Sequence, residues 1–419
     1  MARNYYWINL MRKQLLIPIA ILIFLVLGTT AVVLYGKGYR INTNPEQPKI
    51  LETGLLVATS QPDGAQVFIN GHLTTATNDT INLSPKTYQI KIVKEGYFPW
   101  EKTIKIQKGV VSVTGALLFA KAPKLESLTE IGVSDPILDL SKTKIAFHVA
   151  SESARRNGIY VLDMQSRPII TLRSAATQIV DDTLDNFSRA TLSWSPDGQE
   201  ILATISSNQN PSFATTYLLK ANAFNENAQN VTATLDTIMA SFENEMLATE
   251  QAQIESLAPK LKNLIKENFE IIEWSQDKTK ILYSASQSAK LLLIINPPLT
   301  GTDSTFQERS IQKGSIYVYD IKEDKNYRIE IVRQLADQGS QALSWFPSLT
   351  WFPDSKHLIF VEDKKIGIME HDGTNKTTIY AGPFTDNYVF PWPDGSKLVT
   401  LTNLGNPDIL PNLYTIGLK

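Results

Sequence analysis

The sequence contains no cysteine, only four histidines, and almost no net charge, since 40 basic against 42 acidic residues leave −2 over 419 residues. Each scarcity excludes a class of chemistry. Without cysteine there can be no disulfide, no thiolate nucleophile and no cysteine-based zinc or iron–sulfur site. The compartment stays open, because exported proteins without disulfides are ordinary. His72, His148, His357 and His371 stand far apart, with no HExxH pairing to set two rings on one helix face, so no metal or cofactor is expected. A chain this close to neutral carries no field that would hold nucleic acid. The GxSxG, GxxxxGK[ST] and GxGxxG patterns are also missing, which removes the nucleophile elbow and the common phosphate cradles. The expectation is a protein that is not an enzyme.

One long apolar run is present. From Leu15 to Leu34 the chain reads LLIPIAILIFLVLGTTAVVL, twenty residues without a charge, of which fourteen are Leu, Ile, Val or Phe. At about 1.5 Å per residue such a helix spans roughly 30 Å, the thickness of a bilayer core. Pro18 falls in the first turn, where a missing N–H costs least. Tyr5, Tyr6 and Trp7 on one side, with Tyr35 and Tyr39 on the other, suit the interfacial belts. A signal peptide is the competing reading, but YGKGYR after the run offers no small-x-small cleavage site. The expected organisation is therefore a cytoplasmic tail over 1–14, a transmembrane helix over 15–36 and a polar linker over 37–53. Arg3, Arg12 and Lys13 against Lys37 and Arg40 tip the N-terminus inward. That places the globular part outside the cytoplasm, anchored in the plasma membrane by one pass.

Beyond the linker the apolar pattern changes to period two. Ala65, Val67 and Ile69 alternate, as do Tyr88, Ile90 and Ile92, then Ile104 and Ile106, then Val111 and Val113, the pattern of strands with one buried face. Asn70-Gly71 supplies the positive φ values of a tight hairpin, and Pro62-Asp63-Gly64 makes a turn before Ala65. The segment PDGAQVFINGHLT, followed by INLSPKTYQIKIVKEGYFPWEKTIKI, resembles the PEGA domain. Pro62, Asp63, Gly64 and Ala65 stand in the place of the naming motif, with Asp63 for the usual Glu. Gly96, Tyr97 and Trp100 belong to the same resemblance, which covers 54–120 and implies a small β-sandwich of an envelope protein. These motif residues are read as structural, setting turns and filling a core.

A second unit, 123–419, is built from repeats. LSWSPDGQEILATI from Leu192, IIEWSQDKTKILYSA from Ile271, LTWFPDSKHLIFVE from Leu349 and VFPWPDGSKLVTL from Val389 each hold two apolar strands around a polar turn, with a weaker copy from Ile137. Trp194, Trp274 and Trp351 align, as do Asp197, Asp277, Asp354 and Asp394, spaced 80, 77 and 40 residues apart. A period near 40 with four strands per unit is the signature of a β-propeller, and insertions account for the longer gaps. The motifs resemble the TolB-type, WD-like repeats of bacterial propellers. Five blades are expected, with six as the alternative. The last copy lacks an outer strand, which residues near Leu125 to Ile131 are placed to supply.

Between 234 and 268 the spacing turns helical: Leu235, Ile238, Met239, Phe242 and Met246, then Ile254, Leu257, Leu261, Leu264 and Ile265. Two amphipathic helices, or one kinked at Pro259, are expected. Their stripe packs on the propeller flank or serves a partner, and Phe242, Met246, Leu257 and Leu261 are the candidate partner-binding residues. The fold class is mainly β: a transmembrane helix, a PEGA-type sandwich, and a propeller with a helical insertion. The functional expectation is a membrane-anchored envelope scaffold presenting the propeller to envelope proteins or cell-wall glycan. A glycan- or peptide-binding envelope sensor is the alternative. A propeller glycosidase is a third reading, for which Asp181, Asp182 and Asp185 form the acidic loop.

Overall fold

The computed structural model describes residues 18–33, 40–41, 50–51, 53–165, 176–206, 214–331, 349–385 and 388–418. The chain divides into two compact units, one of Met1–Glu95, Pro99–Leu118 and Pro297–Thr305, the other of Gly96–Phe98, Phe119–Asn296 and Phe306–Lys419. Helix α1 covers 18–33, and every one of its side chains is exposed. Thr29 and Thr30 turn their hydroxyls back onto the carbonyls of Leu25 and Val26 at 2.7 Å, so neither needs a solvent partner. Among the described residues no helix is long and apolar enough to cross a membrane. The expected span, 15–36, runs past both ends of α1. Its aromatic and basic flanks, except Arg40, lie outside the described residues. Within the expected linker, Arg40–Ile41 pairs antiparallel with Ile50–Leu51.

Two sheets face each other in the first unit. One orders Asp79–Leu83, Gly54–Gln61 and Val111–Leu117; the other orders His72–Ala76, Gln66–Ile69, Thr87–Val93 and Trp100–Lys105. Alternation buries Leu56 and Ala58 from the first, and Val67, Ile90, Ile92 and Trp100 from the second. A fully buried aliphatic side chain contributes about 1.5–3 kcal/mol, so this narrow layer is the core of the unit. The last strand departs from expectation. Val111 and Val113 point outward, 49% and 66% exposed, while Ser112, Thr114 and Ala116 point inward. The cause is its parallel pairing with Gly54–Gln61, in which Leu56 lies opposite Ser112, Ala58 opposite Thr114 and Ser60 opposite Ala116. Register partners share a face, so the buried side of the central strand decides which side of its neighbour is buried.

The second unit holds five four-stranded antiparallel sheets among the described residues. In chain order their first strands are Ser134–Leu138, Thr191–Trp194, Phe269–Trp274, Leu349–Trp351 and Val389–Pro391. Shared apolar cores join the first sheet to the second, the third to the fourth and the fifth to the first, in the manner of propeller blades. Ala146, Ile159 and Val161 of the first meet Ile201, Ala203 and Leu219 of the second. Leu282 and Val318 of the third meet Leu349, Trp351 and Phe360 of the fourth. Phe147 and Val149 of the first also meet Val399, Leu401 and Leu413 of the fifth. The fifth sheet takes its outer strand from the other end of the unit, Leu125–Ser127 pairing with Asn412–Gly417. Phe119–Lys124 leads into that strand, with Gly417 N–H donating to the Lys124 carbonyl at 2.8 Å.

Two insertions explain the long repeat gaps. Helix α2, Leu235–Glu255, and helix α3, Pro259–Asn268, precede the third sheet. They are two helices rather than one kinked helix because Pro259 opens α3 and holds Ala258 extended, at φ −60° and ψ 143°. Within the third sheet, residues 286–315 leave the second strand, Lys280–Ala285, and return at the third, Ile316–Asp320. The short hairpin Ala289–Lys290 with Ser310–Ile311 marks the base of this excursion.

Candidate functional site

The five repeats meet the same backbone requirement at the turn between their first and second strands. A left-handed residue stands at Lys142, Gly198, Lys278, Ser355 and Gly395, with φ of 58°, 65°, 58°, 58° and 65°. Its N–H donates three residues back in every case, to Asp139, Ser195, Ser275, Phe352 and Trp392. Aspartate two positions after that acceptor locks the turn: Asp197, Asp277, Asp354 and Asp394 accept the amides of Gln199, Thr279, Lys356 and Ser396 at 2.8–3.1 Å. In the first sheet the pair is transposed. Asp139 occupies the serine position, bonds Ser141, and accepts the amides of Thr143 and Lys144 at 2.7 Å. The same two side-chain chemistries thus close the turn in reversed order, which is why the first copy is faint in sequence.

The pKa directions follow from these roles. The Ser195 hydroxyl and the Gln199 amide hold the Asp197 carboxyl below its ordinary value. Burial raises the Asp277 carboxyl, but the bonds from Ser275 and Thr279 outweigh it. Burial likewise opposes ionisation of Asp354, and the His357 ring at 2.6 Å, with the Lys356 and His357 amides, outweighs it. All three stay ionised as turn acceptors, a structural duty.

Tryptophan stitches neighbouring sheets. Trp194 Nε1 donates to the Ile137 carbonyl of the first sheet at 3.3 Å, and Trp351 Nε1 to the Glu273 carbonyl of the third at 3.2 Å. Both acceptors sit at the same repeat position. Trp274 breaks the series, its Nε1 buried without a hydrogen-bond partner. Trp392 falls one position later than the other three and carries Lys397 over its ring at 4.3 Å.

Beside these turns lies a polar constellation that the repeat pattern gave no reason to suspect. Lys142 Nζ reaches from the first sheet to Glu273 of the third and to Thr350 Oγ1 of the fourth, the latter at 2.6 Å. Glu273 Oε2 accepts the Thr350 hydroxyl at 2.9 Å and the Trp351 amide at 3.2 Å. Side-chain exposures of 23% and 14% for Lys142 and Glu273 make it a shielded pair. It ties together sheets that are not consecutive in sequence.

The acidic loop is engaged in its own geometry. Asp181 accepts from Thr183, Asp182 from the amide and hydroxyl of Ser188, and Asp185 from the Asn186 amide and the Tyr217 hydroxyl. Among the described residues no group of histidines and carboxylates gathers into a metal-binding set. His148 is buried between the first and second sheets, with neither ring nitrogen in a hydrogen bond. Burial pushes its pKa down, against the pull of Asp135 and Asp182 and the backbone at Ser134 and Ala190.

The helical insertion divides the four candidate partner-binding residues. Leu261 is buried, with the half-buried Leu257 packed beside it, in a core shared with Phe269, Ile281 and Tyr317 of the third sheet. Phe242 is half-buried, and Met246 stands 50% exposed on α2. Glu255 joins the two helices through Lys262 and Lys266 at 2.8 and 2.7 Å, and those bonds pull its carboxyl down to about 2.

The motif residues of the first unit build turns. Gly64 and Gly71 have φ of 70° and 82°, and Asn70, at 49°, donates its N–H to the Gln89 carbonyl and accepts the Gln89 amide on Oδ1, both at 2.9 Å. Ala65 is fully buried, and its N–H donates to Thr77 Oγ1 at 3.0 Å, which in turn meets Ser60 Oγ at 2.7 Å. Lys94 Nζ donates to the Asp63 carbonyl at 2.5 Å, and Pro62 receives Ser60 Oγ on its own. Trp100 is buried, whereas Tyr97, after the left-handed Gly96, belongs with Gly96–Phe98 to the second unit, where it bridges Ala120.

No curated protein matches the chain. Among solved structures it is similar to a putative TolB from Agrobacterium tumefaciens, at 14% identity over 76% of this chain and 79% of that one, with a TM-score of 0.20. It is also similar to TolB from Acinetobacter baumannii, at 16% identity over 79% of this chain and 59% of that one, with a TM-score of 0.20. Residues 53–117 match the PEGA domain family, over the same stretch in which the motif residues close the turns of the sandwich.

Proposed function

We propose that this is a single-pass membrane protein of the cell envelope that holds a five-bladed propeller outside the cytoplasm and uses it to bind envelope proteins. The observation that carries the reading is α1: apolar, uncharged, and exposed at every described side chain, which is unfavourable in water and favourable in lipid. The apolar run continues in sequence to Leu15 and Leu34, long enough to span. Supporting the binding role, the carboxylates of the acidic loop and the repeat turns are engaged in local hydrogen bonds, so the rigid sheets act as a platform. The PEGA-type unit serves as a spacer between membrane and propeller.

Fractionation of cells producing the full chain tests this. The chain should resist alkaline extraction from membranes, deletion of 1–36 should release it, and protease added outside spheroplasts should digest the propeller. A full-length chain found in the soluble fraction, or a propeller protected from external protease, would refute it. Cross-linking of the full chain in cells should capture defined envelope proteins, and the absence of any would remove the binding role.

A further inference from the structure

Helix α2 is unlike the rest of the second unit. It runs for 21 residues, about 31 Å at 1.5 Å per residue, and buries none of them. Leu235, Ile238 and Phe242 are half-buried on one side. Beside that stripe Met239, Glu243, Met246 and Glu250 follow at i, i+4, i+7 and i+11, one continuous helical face. Met239 and Met246 are 46% and 50% exposed.

The charge on α2 is of one sign. It carries Asp236, Glu243, Glu245, Glu250 and Glu255 and no lysine or arginine, and among the described residues only Glu255 is in an ion pair. Acid–base pairs at i, i+4 stabilise a helix, and this one, among the described residues, leaves four acids unpaired next to exposed methionines. Methionine is flexible and polarisable, suited to adapting to an apolar partner face.

We propose that α2 is the docking surface for a basic amphipathic helix of a partner protein. In this pairing the partner's apolar residues, at heptad spacing, cover Met239 and Met246, and its lysines or arginines meet Glu243 and Glu250. Charge decides against the other occupants. A second copy would set acid against acid along the whole face, and an anionic bilayer would repel it. The inference rests on the reading of the chain as a protein-binding scaffold and names the chemistry of one partner.

The test uses the full chain in detergent micelles and a synthetic peptide with leucine and lysine at heptad spacing, beside the same peptide with glutamate for lysine. Fluorescence anisotropy should show saturable binding of the lysine peptide alone. The double variant Glu243→Lys/Glu250→Lys should weaken it about tenfold or more. Met239→Ser/Met246→Ser should also weaken it, at unchanged charge. The control Asp181→Lys/Asp185→Lys, which shifts the charge of the acidic loop by the same amount, should leave it unchanged. Thermal unfolding checks that each variant is folded. Equal binding of both peptides, no effect of the α2 variants, or equal loss with the loop control would overturn the proposal. Should these fail while cross-linked envelope partners persist, the scaffold reading survives and its surface lies elsewhere; loss of both would end both.

Discussion

Trp194, Trp274 and Trp351 occupy one repeat position, yet only the first and last of them donate an indole N–H to the preceding sheet. Replacing each by phenylalanine removes similar volume, but Trp194→Phe and Trp351→Phe also remove a hydrogen bond and strand a carbonyl, a difference of about 1 kcal/mol. Urea midpoints should fall further for those two than for Trp274→Phe, and equal losses would deny the stitch. His148 adds a pH term. Its folded pKa is lowered by burial, so stability is complete above the ordinary histidine value and is lost as pH falls below it toward the folded value. Denaturant midpoints should drop from about pH 7 to pH 5, and His148→Leu should flatten that drop. An unchanged slope would assign it to another group.

At the scale of elements, one buried carboxylate anchors both arms of the excursion in the third sheet. Asp324, 3% exposed at its side chain, accepts from Tyr319 at 2.6 Å, from Arg309 at 2.9 Å, and from the amides of Ile294 and Ile295 at 2.7 and 2.8 Å. Burial, and then this acceptor, push the Tyr319 pKa up. Asp324→Ala leaves Arg309 without its counter-ion and two amides and the Tyr319 hydroxyl without their acceptor, so a loss of about 3 kcal/mol is expected in equilibrium unfolding. A loss below about 1 kcal/mol would mean that the excursion is tethered elsewhere. Tyr319→Phe should cost less, since it removes one donor and leaves the ion pair.

The whole second unit depends on a strand from each end. Because Leu125–Ser127 pairs with Asn412–Gly417, deleting residues 412–419 opens the fifth sheet and exposes the Phe147–Val399–Leu413 core that it shares with the first. Fluorescence-detected unfolding should lose cooperativity across the unit. If the truncated chain unfolds at the original midpoint with only a smaller amplitude, the sheets form an open array and not a closed ring.

Much of this architecture was legible in the sequence for a local reason. Period-two alternation, Asn70-Gly71, the aspartate turns and the helical spacing around Pro259 are set within a few residues, by sterics and by short-range hydrogen bonds. The same locality let the need for a closing strand near Leu125 be read from a last repeat that ends one strand short. What the sequence could not decide was which local elements meet. The outward turn of Val111 and Val113 follows from a parallel register with a strand some fifty residues earlier, and the Lys142–Glu273–Thr350 tie joins three separate sheets. Leu261 and Met246 share one helical spacing rule, yet one is buried on the third sheet and the other left open beside a row of acids. A hydrophobic period states that a face must be covered; only the packed structure determines what covers it, because long-range contact is a property of the assembled chain.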